Sequence, residues 1–483
     1  MNDEDHRGGA ESSGPTLEMS PEEMRRLGYR AVDALIERWS GLRRDVAWRG
    51  ATRGELEALF RRDPPEHPEA PEALFDEAVH EVLARAGRID HPRFFAFVPS
   101  SPTWPSVVAD FLVAGFNTFQ GTWLESAGPS QVELVVLDWF RSWLGMPEGA
   151  SGLMTSGGSA ANLDALVAVR HRFGDAARPV LYVSDQGHSS LLRAARIVGW
   201  PAEDVRTIRT GADLRLTRAV LEGWLERDRS EGRTPAVVCA NGGATNSGVV
   251  DALDELADVC SEQGMWLHVD AAYGGFAVLT ERGREALAGI GRADSVTLDP
   301  HKWLFQPYET GCLLVREPRD LERAFTARPE YLQDVELGAE HPNFADRGLQ
   351  LTRAFRALKV WLSVRAFGLA AFRAEIDRAM TLAERAEAYA AEAEDLEVLT
   401  GAQLGVMCYR YRPAGFSGEE AALEALNQRV QDALVESGHA MVSSTRLHGT
   451  YALRLCILNY RSTWEDVRST LERVQALGGE LCA

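Results

Sequence analysis

The sequence predicts an α/β protein whose central sheet is mostly parallel and flanked by helices. From about Ser151, short apolar runs rich in β-branched residues alternate with segments of helical periodicity. The predicted strands are PVLYVSD, PAVVCANGG, MWLHVDAAY, DSVTLDP and GCLLVRE. Such alternation is typical of a parallel sheet covered on both faces. A length of 483 residues with 45% hydrophobic composition is enough for two or three domains around a large core.

The order of these patterns predicts three segments. Residues 1–95 form a helical segment, in which a polar stretch of roughly 18 residues is expected to be mobile before Ser20 caps a helix that begins with Pro21. Residues 96–367 form the large domain, and the aromatic, proline-broken stretch HPRFFAFVPSSPTWP at its start indicates the wall of a cavity. Residues 368–483, with long helical patterns followed by QLGVMCYRYRP and YALRLCILNY, form a smaller α/β domain.

Charge and cysteine content narrow the range of partners. The net charge of −20 opposes sequence-independent binding to nucleic acid or to an anionic membrane, so a small-molecule partner is favoured. The six cysteines stand far apart without a CxxC pair, which argues against a disulfide framework and against a metal site of the zinc type. No apolar stretch of signal-peptide type begins the sequence, and no run of roughly 18 apolar residues occurs in it, so a cytoplasmic location is expected.

Polar residues stand at the ends of several predicted strands. His188 follows the first strand, Thr245 follows the second, Asp270 ends the third, and His301 and Lys302 follow the fourth. In an open α/β sheet, ligands bind outside the carboxyl ends of the strands. These five residues are therefore predicted to share one site.

Lysine is rare in this chain. Of the 51 basic residues only Lys302 and Lys359 are lysines, and the rest are arginines. A guanidinium stays protonated and is a poor nucleophile, whereas a desolvated lysine amine can lose its proton and attack a carbonyl. Lys302 is therefore a candidate for Schiff-base formation, although two lysines remaining by chance in an arginine-rich composition would look the same.

A second element is the glycine-rich turn in TSGGSAANL. Gly158 and Ser159 open a helical pattern, whose free backbone N–H groups suit a phosphate, although plain capping of the helix is an alternative. A phosphate cradle and a Schiff-base lysine together describe pyridoxal phosphate, which carries an aldehyde, a pyridine ring and a phosphate. The ring nitrogen needs a carboxylate, and Asp270 suits this role unless it pairs with an arginine. His188, unless it is purely structural, would lie flat on the ring and hydrogen-bond the substrate carboxylate.

The chain resembles the group II pyridoxal-phosphate-dependent amino acid decarboxylases in four motifs: TSGGSAANL, SDQGHSS, HVDAAYGG and DPHKW. The resemblance implies a fold-type I enzyme that acts as a homodimer, with interleaved N-terminal helices and an active site at the subunit interface. It implies that Lys302 bonds to the cofactor, that Asp270 pairs with the pyridine nitrogen and that His188 stacks on the ring. The other cofactor contacts that it implies are those of Gly158, Ser159, Thr245, Ala272 and His301.

The resemblance also implies the reaction. An L-amino acid would lose carbon dioxide to give an amine, and Tyr331 aligns with the family's loop tyrosine, which returns a proton to the α-carbon. In the sister aldehyde synthases a phenylalanine stands there, so Tyr331 argues against oxidative deamination. Transamination or retro-aldol cleavage on the same fold stays open. A cofactor-binding protein without activity stays open too, although such a protein would be expected to lose Lys302 or Tyr331.

Two features depart from the family pattern. Asp299 stands where an asparagine is found near the phosphate, and its like charge would repel that group unless it is protonated or turned away. The presumed substrate wall also differs in detail, and it comprises Phe97, Val98, Pro99, Ser100, Phe119 and Thr352. An apolar, aromatic wall favours an aromatic or bulky hydrophobic substrate. Phe119 and Thr352 would alternatively narrow the cavity toward methionine, leucine or valine.

Overall fold

The computed structural model describes residues 17–99, 101–174, 178–327, 338 and 340–482. The chain forms two compact units, Met1–Gly87 and Arg88–Ala483. Two predicted site residues, Ser100 and Tyr331, lie outside the described residues. Within the described ranges, none of the helices is long and apolar enough to cross a membrane.

The described residues of the first unit contain three α-helices. They are α1 (Pro21–Gly41), α2 (Arg53–Phe60) and α3 (Pro71–Glu77). The start of α1 has the predicted form: the Ser20 hydroxyl accepts the Glu23 N–H while the Glu23 carboxylate accepts the Ser20 N–H. Arg26 pairs with Glu72 at 2.6 Å and ties α1 to α3. No residue of α1 is buried, and several of its large apolar side chains are exposed.

The second unit is built around a seven-stranded sheet. Its strands are β1 (Ser151–Thr155), β2 (Pro179–Ser184), β3 (Val205–Ile208), β4 (Thr234–Asn241), β5 (Trp266–Asp270), β6 (Ser295–Leu298) and β7 (Gly311–Val315). They lie in the order β1-β7-β6-β5-β4-β2-β3. Only β7 runs against its neighbours, and the others are parallel. The predicted mostly parallel sheet is therefore confirmed.

Helices surround this sheet and pack on its strands or on one another. They are α4 (Trp104–Phe116), α5 (Ala127–Leu144), α6 (Gly158–Phe173), α7 (Ser189–Ile197), α8 (Arg218–Ser230), α9 (Leu253–Gln263), α10 (Glu281–Ala286), α11 (Pro300–Trp303), α12 (Arg319–Phe325) and α13 (Ala357–Phe367). Helix α6 lies across the middle of the sheet, against β7, β6, β5 and β4. Its inward face is therefore placed over the strands whose ends carry the predicted site.

A buried ion pair ties the start of the sheet to its surroundings. Arg353 donates to the Glu133 carboxylate on α5 at 2.6 Å and to the carbonyl of Met154 on β1 at 2.7 Å. Glu133 in turn accepts the Met154 N–H at 2.8 Å. Both side chains are at most 1% exposed, so each charge depends on the other for compensation.

The C-terminal part carries a second, four-stranded antiparallel sheet with the order β10-β11-β9-β8. Its elements are α14 (Leu369–Glu392), β8 (Leu396–Gln403), β9 (Val406–Tyr411), α15 (Glu420–Glu436), β10 (Ser443–Leu447), β11 (Thr450–Cys456) and α16 (Trp464–Cys482). Gly368, with φ of 75°, separates α13 from α14. The side chains between this sheet and its helices form a hydrophobic cluster of their own.

Candidate active site

Six parallel strands end at the same edge of the large sheet, and the segments that follow five of them, β1, β2, β4, β5 and β6, line a cavity of about 310 Å³. Cross-strand register places Asn241, Asp270 and Thr297 side by side at this edge. The cavity is lined by all eight residues predicted to contact the cofactor: Gly158, Ser159, His188, Thr245, Asp270, Ala272, His301 and Lys302. Residues more than a hundred positions apart thus meet where the topology predicts a ligand.

The glycine-rich turn at the start of α6 forms one end of the cavity. No side chain caps this helix of 16 residues, so its first backbone N–H groups suit an anion. A Cβ atom on Gly158 would lie 3.0 Å from the Ala272 Cβ and 3.0 Å from Asp299 Oδ2. The absence of a side chain at this position therefore lets the backbone approach the opposite wall closely.

Lys302 carries its amine into the cavity and meets Asp299 there. Its Nζ lies 2.9 Å from Asp299 Oδ2, and the Asp299 side chain is only 2% exposed. Burial is the largest single influence and disfavours the charged amine, but the charge and hydrogen bond of Asp299, together with the charges of Asp270 and Tyr308, outweigh it, so the pKa of Lys302 is raised. The other oxygen of Asp299, Oδ1, has no hydrogen-bond partner among the described residues. Asp299 thus holds Lys302 as an ammonium ion.

His301 lies beside this pair. Its Nδ1 lies 2.8 Å from the Thr310 carbonyl oxygen, and its ring packs against Tyr308 with the centroids 4.7 Å apart. Burial lowers the pKa of His301, and the charge of Lys302 adds to this effect against the opposing attraction of Asp299. A neutral His301 ring is therefore favoured in the wall of the cavity.

Asp270 ends β5 inside the cavity and is 7% exposed. Its carboxylate accepts the Ala272 N–H at 3.2 Å and the side-chain amide of Asn162 at 2.9 Å. In the part of the chain that the structure describes, Asp270 forms no ion pair with an arginine, so a purely structural pairing of that kind is not its role there. A carboxylate held only by neutral donors suits a cationic partner in the cavity.

His188 caps the N-terminus of α7. Its Nδ1 lies 2.8 Å from the Ser190 hydroxyl and accepts the Ser190 backbone N–H at 3.3 Å. These contacts hold the ring at the cavity wall.

Five polar residues that line the cavity, Ser156, Asn162, Ser190, Asn241 and Tyr273, were not predicted from the sequence, and two of them, Asn162 and Ser190, contact predicted residues. Both line the cavity and are at most 5% exposed. Asn162 lies within TSGGSAANL one helical turn after Gly158, so it faces the same side as that predicted residue. Ser190 lies in the first turn of α7 and contacts Nδ1 of His188, the residue that caps this helix. A buried polar residue on the inward face of a helix was the signal that would have found Asn162.

The predicted substrate wall is placed differently from the cofactor residues. Phe97, Val98, Pro99, Phe119 and Thr352 do not line the cavity. Phe97 is 59% exposed, and Thr352 is also exposed. Their contact with a substrate stays a prediction, as do the roles of Ser100 and Tyr331.

The chemistry of this cavity fits pyridoxal phosphate. A partly buried amine, a buried carboxylate without a charged protein partner and an imidazole converge at the edge of the sheet, next to an uncapped helix start with a glycine cradle. These groups match the aldehyde, the ring nitrogen, the ring face and the phosphate of the cofactor respectively. Asp299 remains next to the cradle, so the predicted conflict with a phosphate persists, although its carboxylate is engaged by Lys302.

Known proteins are similar to this chain in sequence and in fold. Residues 54–412 match the pyridoxal-dependent decarboxylase conserved domain. The chain is 42% identical over 468 residues to an aromatic-L-amino-acid decarboxylase of Bacillus atrophaeus, covering 96% of this chain and 97% of that protein. It is 28% identical to a phenylacetaldehyde synthase of Petunia hybrida, with 91% of each chain covered.

The structure agrees with these matches. The crystal structure of Oryza sativa TDC with PLP and tryptamine superposes with a TM-score of 0.92 at 28% identity, covering 97% of this chain and 100% of that one. The fold and the cofactor predicted from the sequence are thereby confirmed. The chain therefore belongs to the pyridoxal-dependent decarboxylase family and is a pyridoxal-phosphate-dependent carboxy-lyase.

Proposed function

We propose that this enzyme decarboxylates an aromatic L-amino acid to the corresponding amine and carbon dioxide. The observation that carries the proposal is full-length similarity to an aromatic-L-amino-acid decarboxylase, together with a cavity that holds the amine of Lys302 and the carboxylate of Asp270. The predicted substrate wall is apolar and aromatic, which supports an uncharged substrate side chain over an acidic one.

The proposed roles of the residues follow from their positions. When bound, pyridoxal phosphate supplies a ring that accepts the electron pair left as the α-carbon loses its carboxylate. Lys302 would hold the cofactor covalently through Nζ, once Nζ has given up the proton held against Asp299. Asp270 would keep a proton on the ring nitrogen. His188 would pack on the ring and donate a hydrogen bond from Nε2 toward the substrate carboxylate, and Gly158 and Ser159 would hold the phosphate with the first N–H groups of α6.

Tyr331 is the proposed proton donor to the α-carbon. It lies outside the described residues, and the support for its role is the resemblance of the loop sequence RPEYLQD. The competing function is that of an aldehyde synthase, which similarity to the Petunia enzyme brings into consideration. Tyr331 favours the decarboxylase, because the proton would be returned before oxygen reacts.

The proposed assembly is a homodimer. Helix α4 leaves a row of large apolar side chains at the surface, including Phe111 at 68% and Phe116 at 79% exposure. Val108 and Leu112 lie on the same helix and are exposed as well. An apolar surface of this kind is typical of an interface between chains, and a second copy of this chain is the partner that the family resemblance favours. Phe97 is also exposed in the single chain, which supports a substrate site completed by that copy.

The proposed location is the cytoplasm. All six cysteines are unpaired, and five of them are buried. Thiols that stay reduced are typical of a reducing compartment.

The test uses the purified protein with pyridoxal phosphate and a panel of L-amino acids that includes aromatic, branched and acidic members. Carbon dioxide and hydrogen peroxide are followed in the same reaction, with Lys302→Ala as the inactive control. Carbon dioxide without peroxide from tryptophan, tyrosine or phenylalanine is the expected result. Preference for methionine, leucine or valine would move the substrate class to the smaller aliphatic amino acids, and peroxide equivalent to the carbon dioxide would establish the aldehyde synthase.

Tyr331→Phe extends this test. The substitution removes the proposed proton donor while keeping the ring, so peroxide formation is expected to rise relative to amine formation. An unchanged ratio of peroxide to amine would exclude Tyr331 as the donor.

A further inference from the structure

Asn162 occupies the centre of a buried hydrogen-bond network beneath the cavity. It lies on α6 and is 1% exposed. Residues two apart on a strand face the same side, so His268 and Asp270 on β5, with Thr297 on β6, all point toward this face of α6. The side chain of Asn162 reaches all three of them and also Ser190.

The amide of Asn162 uses its full hydrogen-bonding capacity. Its Nδ2 donates to Asp270 Oδ2 at 2.9 Å and to Ser190 Oγ at 2.9 Å. Its Oδ1 accepts the Thr297 hydroxyl at 2.7 Å and His268 Nε2 at 3.0 Å. The opposite orientation of the amide would direct its oxygen at the Asp270 carboxylate, which only accepts, so Asp270 determines which way the amide faces.

The contact with Asn162 assigns the proton on His268. Because an amide oxygen only accepts, His268 Nε2 carries the hydrogen, and Nδ1 accepts from the Ser295 hydroxyl at 2.8 Å. Ser295 Oγ in turn accepts the Trp266 indole N–H at 2.7 Å. Burial lowers the pKa of His268 to about 4, against the partial opposition of Asp270, so the ring behind Asp270 stays neutral.

A second chain of hydrogen bonds leads from Asn162 through Ser190 to His188. Ser190 Oγ accepts from Asn162, so its own hydrogen is directed to His188 Nδ1, 2.8 Å away. Nδ1 also accepts the Ser190 backbone N–H. With Nδ1 accepting, His188 carries its ring hydrogen on Nε2 and can donate from there.

We propose that Asn162 is a positioning residue that couples Asp270 to His188. Through one amide it orients the Asp270 carboxylate and, through Ser190, sets the tautomer in which His188 donates from Nε2. The inference rests on the proposed roles of Asp270 and His188 toward the ring, and it deepens them: the two groups on the cofactor are arranged by one residue. Neither Asn162 nor Ser190 touches the reacting atoms in this assignment.

The test compares Asn162→Ala with a matched control, Asn427→Ala. Asn427 is also a fully buried helical asparagine, and it makes three hydrogen bonds to backbone atoms in the small domain. Both variants lose a buried amide, but only the first is expected to affect the cofactor. For each purified holoenzyme, the rate of cofactor loss on dilution and the visible circular dichroism per bound cofactor are measured without substrate.

Asn162→Ala is expected to release the cofactor about tenfold faster, the scale on which outer hydrogen bonds tune a bound group. Its visible dichroism band is also expected to fall, because the ring is less rigidly held. Equal values for Asn162→Ala and Asn427→Ala would overturn the proposal. These readouts need no turnover, so the absence of amine from every amino acid would defeat the proposed function and leave this result standing.

Ser190→Ala tests the second arm and removes only a hydroxyl, so it remains informative if Asn162→Ala does not fold. It should keep the rate of cofactor loss within about twofold of the parent, because the Asn162–Asp270 contact is intact. The Kd of an amino acid, followed by the change that it causes in the cofactor's absorbance, should rise about fivefold or more. An unchanged Kd would show that Asn162 does not act on His188.

Discussion

Replacing Asp299 with asparagine should make covalent capture of the cofactor faster at neutral pH. Lys302 can attack an aldehyde only as the free amine, and Asp299 holds it in the charged form across 2.9 Å. Two unit charges at that separation attract by about 6 kcal/mol at an effective dielectric constant of about 20. Desolvation offsets part of this attraction, and neighbouring opposite charges in proteins shift a pKa by about 1–3 units. Asp299→Asn should therefore raise the free-amine fraction of Lys302 by about 10- to 1,000-fold.

The assay mixes cofactor-free protein with excess aldehyde and follows the visible absorbance of the bound form by stopped flow between pH 6.5 and 9.5. Below the pKa of Lys302, the logarithm of the capture rate should rise by about one for each pH unit in both proteins. At each pH, the logarithm of the capture rate should be 1–3 units higher for Asp299→Asn than for the parent protein, until a step other than amine attack limits the rate. Lys302→Ala provides the baseline for aldehyde that reacts elsewhere.

Asp299 also lies beside the proposed phosphate cradle, so its removal would relieve repulsion of the phosphate as well. Running the series with pyridoxal, which lacks the phosphate, separates the two effects. An acceleration of similar size with both aldehydes assigns the effect to the amine, whereas an acceleration confined to pyridoxal phosphate assigns it to repulsion. If the two proteins react at the same rate with pyridoxal at every pH, the reasoning about Lys302 is refuted.

Three further outcomes are expected. Gly158→Ala should weaken pyridoxal phosphate binding by about tenfold or more, since its Cβ would lie 3.0 Å from two neighbours, while Gly128→Ala, which has open space around its Cβ, should leave the Kd unchanged in a fluorescence titration. Arg353→Met should lower the free energy of unfolding in urea by about 3–5 kcal/mol, because Glu133 is left unpaired, and adding Glu133→Leu should recover most of that loss. The free energy of unfolding of the cofactor-free protein should fall by about 3 kcal/mol as the pH is lowered from 6.5 to 4, because His268 takes up a proton in the unfolded chain but not in its buried position in the folded protein. His268→Gln should lack this contribution.

Each of these expectations has a clear contrary result. Equal cofactor affinity in both glycine variants would mean that the turn does not approach the ligand. A double variant no more stable than Arg353→Met would mean that the isolated charge of Glu133 is not what destabilises it. Parallel stability curves for His268→Gln and its parent across the acid range would mean that His268 is protonated in the folded protein.

The sequence alone predicted where the cavity lies and which residues of the proposed cofactor site line it. Lys302, Asp270 and His188 follow or end strands, and in a parallel sheet those ends lie at one edge whatever the details of packing. The glycines before α6 were a local signal of the same kind, because free backbone N–H groups at a helix start suit a phosphate, and the structure places them in the cavity where plain capping was the alternative. Strand periodicity also predicted the sheet, since a buried parallel strand reads as a short apolar run.

Only the tertiary structure decided the contacts between segments that are distant in the chain. The apolar sequence of β7 does not indicate that this strand is antiparallel to its neighbours, because a buried apolar run looks alike in parallel and antiparallel strands. The ion pair of Asp299 with Lys302 depends on the turn into α11, and the four bonds of Asn162 depend on how α6 packs across β5 and β6. A hydrogen bond requires its atoms to lie within a few tenths of an ångström of the right place, and no local pattern specifies that distance.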